Sequence, residues 1–585
     1  MKITQKIMNL NLKQYRDNVI FIPLGGSNEI GMNLNLYHYK GKWIMIDCGV
    51  GFAYDVPGID MMTPDISFVK QIKKDLLGII ITHIHEDHIG AVQYLWEDLD
   101  VDVYTTNFAA NFLRSKLSEF NLDKKVPIKI IDDHAILNLK PFNIEFIGLT
   151  HSVPEMKALL IKTDQGNILH TGDWKFDPDP VVGHISEKDK ISNYGMDGEI
   201  NAIVCDSTNA TTSGHSKSEG ELYKSLKEII SNRKSGLVGV TTFASNVARI
   251  HTIARIAKEV GRKVVLSGFS LRRLYEVAKK SGYFTEKFDF ISDKEIKFYK
   301  KHEILVLCTG CQGEPMASTR KIAEDKHPAV KFTKGDLMIF SSKIIPGNEK
   351  KIYEVFDIFA KRQIDVITEH DHFVHVSGHP YQEELSEMYR IAKPKIAIPV
   401  HGEFIHTKTN GEIALAQNVE KVIQPENGMA IKIDFKEPGN SQSVGFVQSG
   451  YFGVDGKHLI SLDSPVIKQR KKLSYSGIFI SSIALNQSLK LISEPYIRSV
   501  GCYDIDEDNH IKEIIIGEIK DIVKRKAKEL RVSDSFTLKF LRKKKKIKED
   551  KVISEIEKSL KTIITKIFKD IIDKKPYIDI KIWLT

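Results

Sequence analysis

The densest chemistry in the chain lies in Thr82-His83-Ile84-His85-Glu86-Asp87-His88, where three imidazoles and two carboxylates follow an apolar run. In an extended segment side chains alternate, so His83 and His85 point to one side and can reach one metal ion. Asp87 and His88, in the turn that follows, can serve a second. Neutral imidazole nitrogen and carboxylate oxygen suit Zn²⁺, with Mn²⁺ next where carboxylates supply more of the sphere. A chance surface cluster explains such density poorly. Three more ligand types each sit where a strand-like run ends: His151 after FIGLT, Asp173 after ILHTG and His401 after KIAIPV.

The elements that must position these residues are legible in outline. Residues 19–47 alternate β-rich runs with Gly25, Gly26, Gly31 and Gly41, the pattern of hairpin-connected strands. Short apolar runs between Leu76 and Asp173 read as buried strands with polar residues at their ends. From about Asp206 to Gln363 helical and strand patterns alternate, which predicts a separate α/β domain with a parallel sheet. From Ile364 to Ile433 (IDVITE, EELSEMYRIA, KIAIPVHGE) the first pattern resumes. A region from about 465, helix-rich and ending in YIDIKIWL, predicts a small α+β domain. The expected boundaries are therefore 1–205 and 366–450 for one domain in two parts, 206–365 for the insertion, 451–464 for a linker and 465–585 for the C-terminal domain.

Composition narrows the class. At 585 residues and 42% hydrophobic content the chain exceeds one core and can bury several. Residues 1–16 lack the apolar core of a signal peptide, and no window supplies the roughly 18 apolar residues a spanning helix needs, so a cytoplasmic protein without a membrane segment is expected. Five scattered cysteines predict no disulfide framework. Cys308 and Cys311 form a CxxC without a second pair to complete a zinc site, and read as ordinary buried thiols. The net charge of +9, from 85 basic against 76 acidic residues, allows an anionic partner without requiring one. The basic run 542–546, part of the Lys-rich stretch 542–548, reads as a solvated segment with no assigned site role.

The order HxHxDH, His, Asp and a distant His resembles the metallo-β-lactamase superfamily, whose fold is an αββα sandwich. The resemblance implies that His83, His85 and His151 hold one metal, that Asp87, His88 and His401 hold the other, that Asp173 bridges them, and that Asp47 orients ligands from behind. Such chemistry uses two cations roughly 3.5 to 4 Å apart to activate water and neutralise charge developing at phosphorus. The ligands alone do not fix the substrate.

The inserted block does more. Cys205-Asp206-Ser207-Thr208 resembles motif A of the β-CASP nucleic-acid-processing group, and His379 its motif B histidine. PLGGSNEIGMN, LTHSVPE, GDWKFDPDPV, DSTNA, TTFASN, TGCQGEPMA, SSKIIPGNEK, HVSGH and PVHGE, in that order, narrow the likeness to the ribonuclease J family from about Phe21 to about Ile433. Two departures stand out: Ile84 where Gly is expected between the paired histidines, and Pro380 where a small residue is usual. The resemblance implies a phosphate site at His375, Val376, Ser377, Gly378 and His379, with Ser245 and Asn246 as weaker contact candidates. Its catalytic residues would be Asp87, Asp206 and His379. Asp206 would orient His379, which would protonate the leaving 3′ oxygen. It further implies 5′-to-3′ exonuclease and endonuclease cleavage of single-stranded RNA, preference for 5′-monophosphate ends, 5′-phosphate and 3′-hydroxyl products, and homodimers or homotetramers built through the C-terminal domain. The rivals are a DNA nuclease or small-molecule hydrolase on the same fold, and a scaffold that has lost its metals.

Overall fold

The computed structural model describes residues 12–53, 56–133, 135–286, 288, 290–534 and 545–585, with side chains left undescribed at residues 12, 530–534 and 545–552. It divides into two units, one comprising 1–52 and 61–452 and the other 53–60 and 453–585.

In the first unit two mixed sheets face each other. One runs in the order Gln442–Phe446, Met429–Ile433, Val19–Gly25, Leu34–Tyr39, Lys42–Ile46, Leu76–Ile80, Val103–Thr105 and Ile128–Ile130. The other runs Lys421–Val422, Ile396–Val400, Ala202–Asp206, Asn167–His170, Lys157–Lys162, Phe142–Gly148 and Ile136–Leu139. Phe21, Tyr37 and Ile46 of the first meet Ile144, Leu159 and Val204 of the second in one core. The outer face of the second sheet packs on Ile191, Leu385, Met388 and Ala414 from three helices. On the outer face of the first, Trp43 meets Phe68 of the helix Ser67–Ile72 edge-on. This is the expected αββα sandwich. The strand Val19–Gly25 is buried at every position, so it reads as a continuous apolar run rather than an alternation.

The insertion builds a third sheet, wholly parallel, in the order Phe290–Ile291, Lys263–Ser267, Ile304–Cys308, Val238–Thr241, Leu337–Phe340 and Asp365–Ile367. The strand Asp365–Ile367, expected with the resumed first domain, instead pairs in parallel with Leu337–Phe340. The helix Glu349–Lys361 explains this: it buries Val355 and Phe359 in the insertion's core and returns the chain to that sheet's open edge. The insertion therefore extends past residue 365.

The stretch 451–464, expected as a linker, contains the strands Tyr451–Asp455 and His458–Ser461, adjacent in their sheet. Gly456, at φ 64° in the Asp455-Gly456 turn, is a hairpin residue rather than a linker residue.

In the second unit the strand Ile478–Leu485 pairs antiparallel with Tyr496–Val500 and parallel with Tyr577–Leu584. Ile483 and Phe479 pack against Ile515, Ile519, Leu560 and Phe568 of the helices Asn509–Asp534 and Lys545–Ile572. The YIDIKIWL segment forms the expected strand. Among the described residues no helix is long and apolar enough to cross a membrane. Arg542, Lys543 and Lys544 of the basic run lie outside the described residues.

Candidate metal centre

All seven residues expected as ligands converge at the C-terminal ends of strands from the two facing sheets. His83 and His85 follow Leu76–Ile80, Asp173 follows Asn167–His170, and His401 follows Ile396–Val400. Nε2 of His83 and of His151 lie 3.1 and 2.9 Å from Nδ1 of His85. On the other side, Nε2 of His401 lies 3.1 Å from Oδ2 of Asp87, and Nε2 of His88 lies 3.1 Å from Oδ2 of Asp173. Asp173 belongs to both groups: the same Oδ2 is 3.8 Å from His83, 3.9 Å from His151 and 3.7 Å from His401. In each group, His83-His85-His151-Asp173 and Asp87-His88-Asp173-His401, the donor atoms lie within 4.8 Å of one another. Donors bound at about 2.0 to 2.2 Å around one cation fall inside that span.

The remaining ring nitrogens are fixed from outside. Nδ1 of His88 lies 2.7 Å from Oδ2 of Asp47, and Thr82 Oγ1 sits 3.0 Å from Nδ1 of His83 while donating to the same Asp47 carboxylate at 2.9 Å. The opposite side repeats this arrangement. Nδ1 of His379 lies 2.8 Å from Oδ2 of Asp206, while Thr208 Oγ1 is 2.6 Å from Nδ1 of His401 and donates to Oδ1 of Asp206 at 2.7 Å. Nδ1 of His151 lies 2.5 Å from the carbonyl oxygen of Gly378, and Ser152 Oγ is 3.3 Å from Nε2 of His85. With the outer nitrogens of His83, His85 and His151 protonated, their inner nitrogens present lone pairs that converge beside Oδ2 of Asp173, while the Asn33 side-chain amide lies 3.0 Å from Nε2 of His88. Buried acceptors converging in this way fit a divalent cation. Thr82, Ser152 and Thr208 were not singled out from the sequence; LTHS and CDST contain the last two, but a hydroxyl beside a ligand has no spacing signature.

The two groups differ electrically. Burial holds the imidazoles of His83 and His151 well below the ordinary value and that of His85 at about 4, so all three are neutral. For His88 and His401 burial works in the same direction, but carboxylates outweigh it: Asp173, Asp47 and Asp87 raise His88 well above its usual range, and Asp173, Asp87 and Asp206 raise His401 to about 9. Burial opposes the charge on Asp173 too, and His401 and His88 nonetheless hold it well below the usual range.

The segment expected to bind phosphate lies against this cluster. Ser377 Oγ accepts from Asn209 Nδ2 at 2.7 Å and from the His379 amide at 3.2 Å; Asn209 is a further residue the sequence reading missed. A Cβ on Gly378 would lie 2.7 Å from Cε1 of His151, so only glycine allows this approach. Burial, then Arg249 and Lys343, lower His375 well below its usual value. For His379 burial is outweighed by Asp206 and Asp173, and its pKa is raised. Val376 is buried. Asn246 is also buried, and its Oδ1 accepts from the Arg249 amide at 2.8 Å as the N-cap of the helix Val247–Glu259. Ser245 is half-buried in the loop before it. Ile84 and Pro380, the two departures, are both buried and displace no ligand. Cys308 and Cys311 are buried free thiols, pushed up to about 11 and about 12 by burial.

Three family models match this chain: the metallo-β-lactamase superfamily over residues 33–173, the ribonuclease J β-CASP domain over 235–359, and a Zn-dependent metallo-hydrolase RNA specificity domain over 363–412. Among curated relatives, ribonuclease J of Sinorhizobium meliloti is 37% identical over 88% of this chain and 92% of its own length. Ribonuclease J of one Helicobacter pylori strain is 33% identical over 89% and 75%, and that of Thermus thermophilus 30% identical over 83% and 86%. A solved structure from Enterococcus faecalis, titled as a protein of unknown function, shares the fold at TM-score 0.51 and 16% identity, covering 71% of this chain and all of that one. With a centre able to bind divalent metal at the sandwich edge and relatives matching along most of its length, the chain belongs to the ribonuclease J family of metal-dependent ribonucleases.

Proposed function

We propose that the chain hydrolyses phosphodiester bonds of single-stranded RNA with two divalent cations. His83, His85 and His151 would hold one, Asp87, His88 and His401 the other, and Asp173 both. Zn²⁺ fits the imidazole-rich group best, and Mn²⁺ is the alternative for the carboxylate-rich one. The observation that carries this reading is the single Asp173 oxygen common to both donor sets. When bound, the cations supply charge neutralisation at phosphorus and a water nucleophile near neutral pH.

The chain's own residues do the rest. His375, Ser377 and the backbone at Gly378 bind the phosphate beside the scissile linkage. Asp206 fixes Nδ1 of His379, which leaves Nε2 to deliver a proton to the leaving 3′ oxygen, and the raised pKa keeps that proton available near neutrality. Cleavage leaves a 5′-phosphate and a 3′-hydroxyl. An anchored 5′-monophosphate places the first linkage at the centre, which yields 5′-to-3′ exonuclease action, while a threaded internal segment yields endonuclease cleavage. After the strand Asp365–Ile367 the chain would return from the insertion to the catalytic sandwich.

The C-terminal unit serves self-association into dimers or tetramers. Exposed Tyr496, Val500 and Trp583, interspersed with Arg498 and Lys581 on the same face of its sheet, support this.

Rates on 5′-monophosphate, 5′-triphosphate and 5′-hydroxyl RNA of one sequence test the anchored-end reading. It expects the monophosphate to be degraded fastest, and equal rates on all three contradict it.

A further inference from the structure

Arg249, on the helix Val247–Glu259, is a buried arginine of the insertion whose guanidinium reaches the chain at the threshold of the 375–379 segment. Its side chain is 0% exposed. Nε and Nη2 donate to the two carboxylate oxygens of Glu219 at 2.7 and 3.0 Å. Nη1 donates to the carbonyl of Ser341 at 3.0 Å, to its hydroxyl, and to the carbonyl of Val374 at 3.3 Å. Ser341 Oγ donates to the same Val374 carbonyl at 2.7 Å. Glu219 in turn is tied to the metal-ligand side. Its amide donates to Oδ2 of Asp177, which pairs with the buried Lys175 at 2.7 Å, and the Asp177 amide donates to Thr150 Oγ1, one residue before His151.

A guanidinium with this many fixed acceptors is costly to bury and is poorly replaced by a point charge. The two ends of the following segment are held by different groups. His379 and Gly378 are fastened by Asp206 and His151, whereas Val374, and with it His375, is fastened by Arg249 and Ser341. Loss of Arg249 therefore frees Val374 and His375, while Ser377, Gly378 and His379 keep their partners Asn209, His151 and Asp206.

We propose that Arg249, held by Glu219, is a positioning residue that sets His375 for the substrate's terminal phosphate. The inference rests on the phosphate reading of 375–379 given above. Its signature is a split between constants: KM for 5′-monophosphate RNA rises while kcat and metal content hold. Removing one charge-assisted anchor corresponds to about a tenfold or greater rise in KM.

The test uses the full-length, metal-loaded protein with 5′-monophosphate and 5′-hydroxyl RNA oligonucleotides of one sequence, comparing wild type with Arg249→Lys and with Arg249→Met/Glu219→Gln, which leaves no orphaned charge. Bound metal and melting temperature are followed in parallel. The expected result is that the monophosphate advantage in KM, present in wild type, shrinks about tenfold in both variants at unchanged metal content and with kcat within a few-fold. If the double variant does not fold, the Arg249→Lys constants decide. Wild type with no monophosphate advantage overturns the phosphate reading itself. Wild type with the advantage and a folded Arg249→Lys that keeps it overturn the inference alone, as does a fall confined to kcat.

Discussion

Oδ2 of Asp206 lies 2.8 Å from Nδ1 of His379, while Oδ1 of the same carboxylate receives the Thr208 hydroxyl that meets Nδ1 of His401. One carboxylate thus orients the proposed proton donor directly and a proposed metal ligand through a threonine. Asp47 does the same for His88 and, through Thr82, for His83. Both carboxylates are buried, and Asp206 also forms with Asp173, His379 and His401 a third group whose donor atoms lie within 4.8 Å of one another.

His379→Ala is expected to lower turnover on RNA by about 10² to 10⁴ while both cations remain bound, because it removes a positioned proton donor and no ligand. Single-turnover rates with metal analysis of the same sample check this. Full turnover in the variant would remove His379 from the proton-transfer role.

Thr208→Val keeps the shape beside His401 but breaks the link from Asp206 to its Nδ1. Affinity for one cation is expected to fall by about 10- to 100-fold, the usual cost of losing an orienting partner, with the other cation retained. Thr82→Val, acting on His83, should weaken the opposite cation. Metal titration by calorimetry separates the two.

Gly378→Ala introduces a Cβ that would sit 2.7 Å from the His151 ring. Either the ring or the backbone proposed to contact phosphate must move, and a displacement near 1 Å costs roughly 10²-fold in rate. The expected outcome is loss of activity with little change in melting temperature, measured on matched protein samples.

How much of this was legible beforehand depends on the kind of residue. The proposed ligands announced themselves because HxHxDH is dense and His151, Asp173 and His401 end apolar runs, and the structure brings all of them together. The hydroxyls and amides that hold them, Thr82, Thr208 and Asn209, carry no such signal, since their role depends on contacts spanning up to 193 residues in sequence. Asn246 shows the converse: it read as a substrate contact, yet its side chain caps a helix, a local role that Asn fills as readily. The Asp365–Ile367 strand was placed with the wrong sheet because its apolar content says that it is a strand, not which edge it joins.

Away from the centre, His38 gives a pH dependence of stability. Burial lowers its pKa from the usual value near 6.5 to about 4, so the fold favours the neutral ring. As pH falls through 6.5 the unfolded chain takes up the proton first. The contribution is therefore complete above about 6.5 and lost progressively toward about 4, with a slope of at most about 1.4 kcal/mol per pH unit. Urea midpoints of metal-free wild type and His38→Gln between pH 7.5 and 4.5 should show a shallower acid decline in the variant. Parallel declines would contradict the assignment.

The most direct test of the account is cleavage of matched single-stranded RNA and DNA by the purified, metal-loaded chain beside a His83→Ala, Asp87→Ala control. Release of mononucleotides from 5′-monophosphate RNA, absent in the control and after chelation, is the predicted result. Cleavage that persists in the control, or that is confined to DNA, would contradict it.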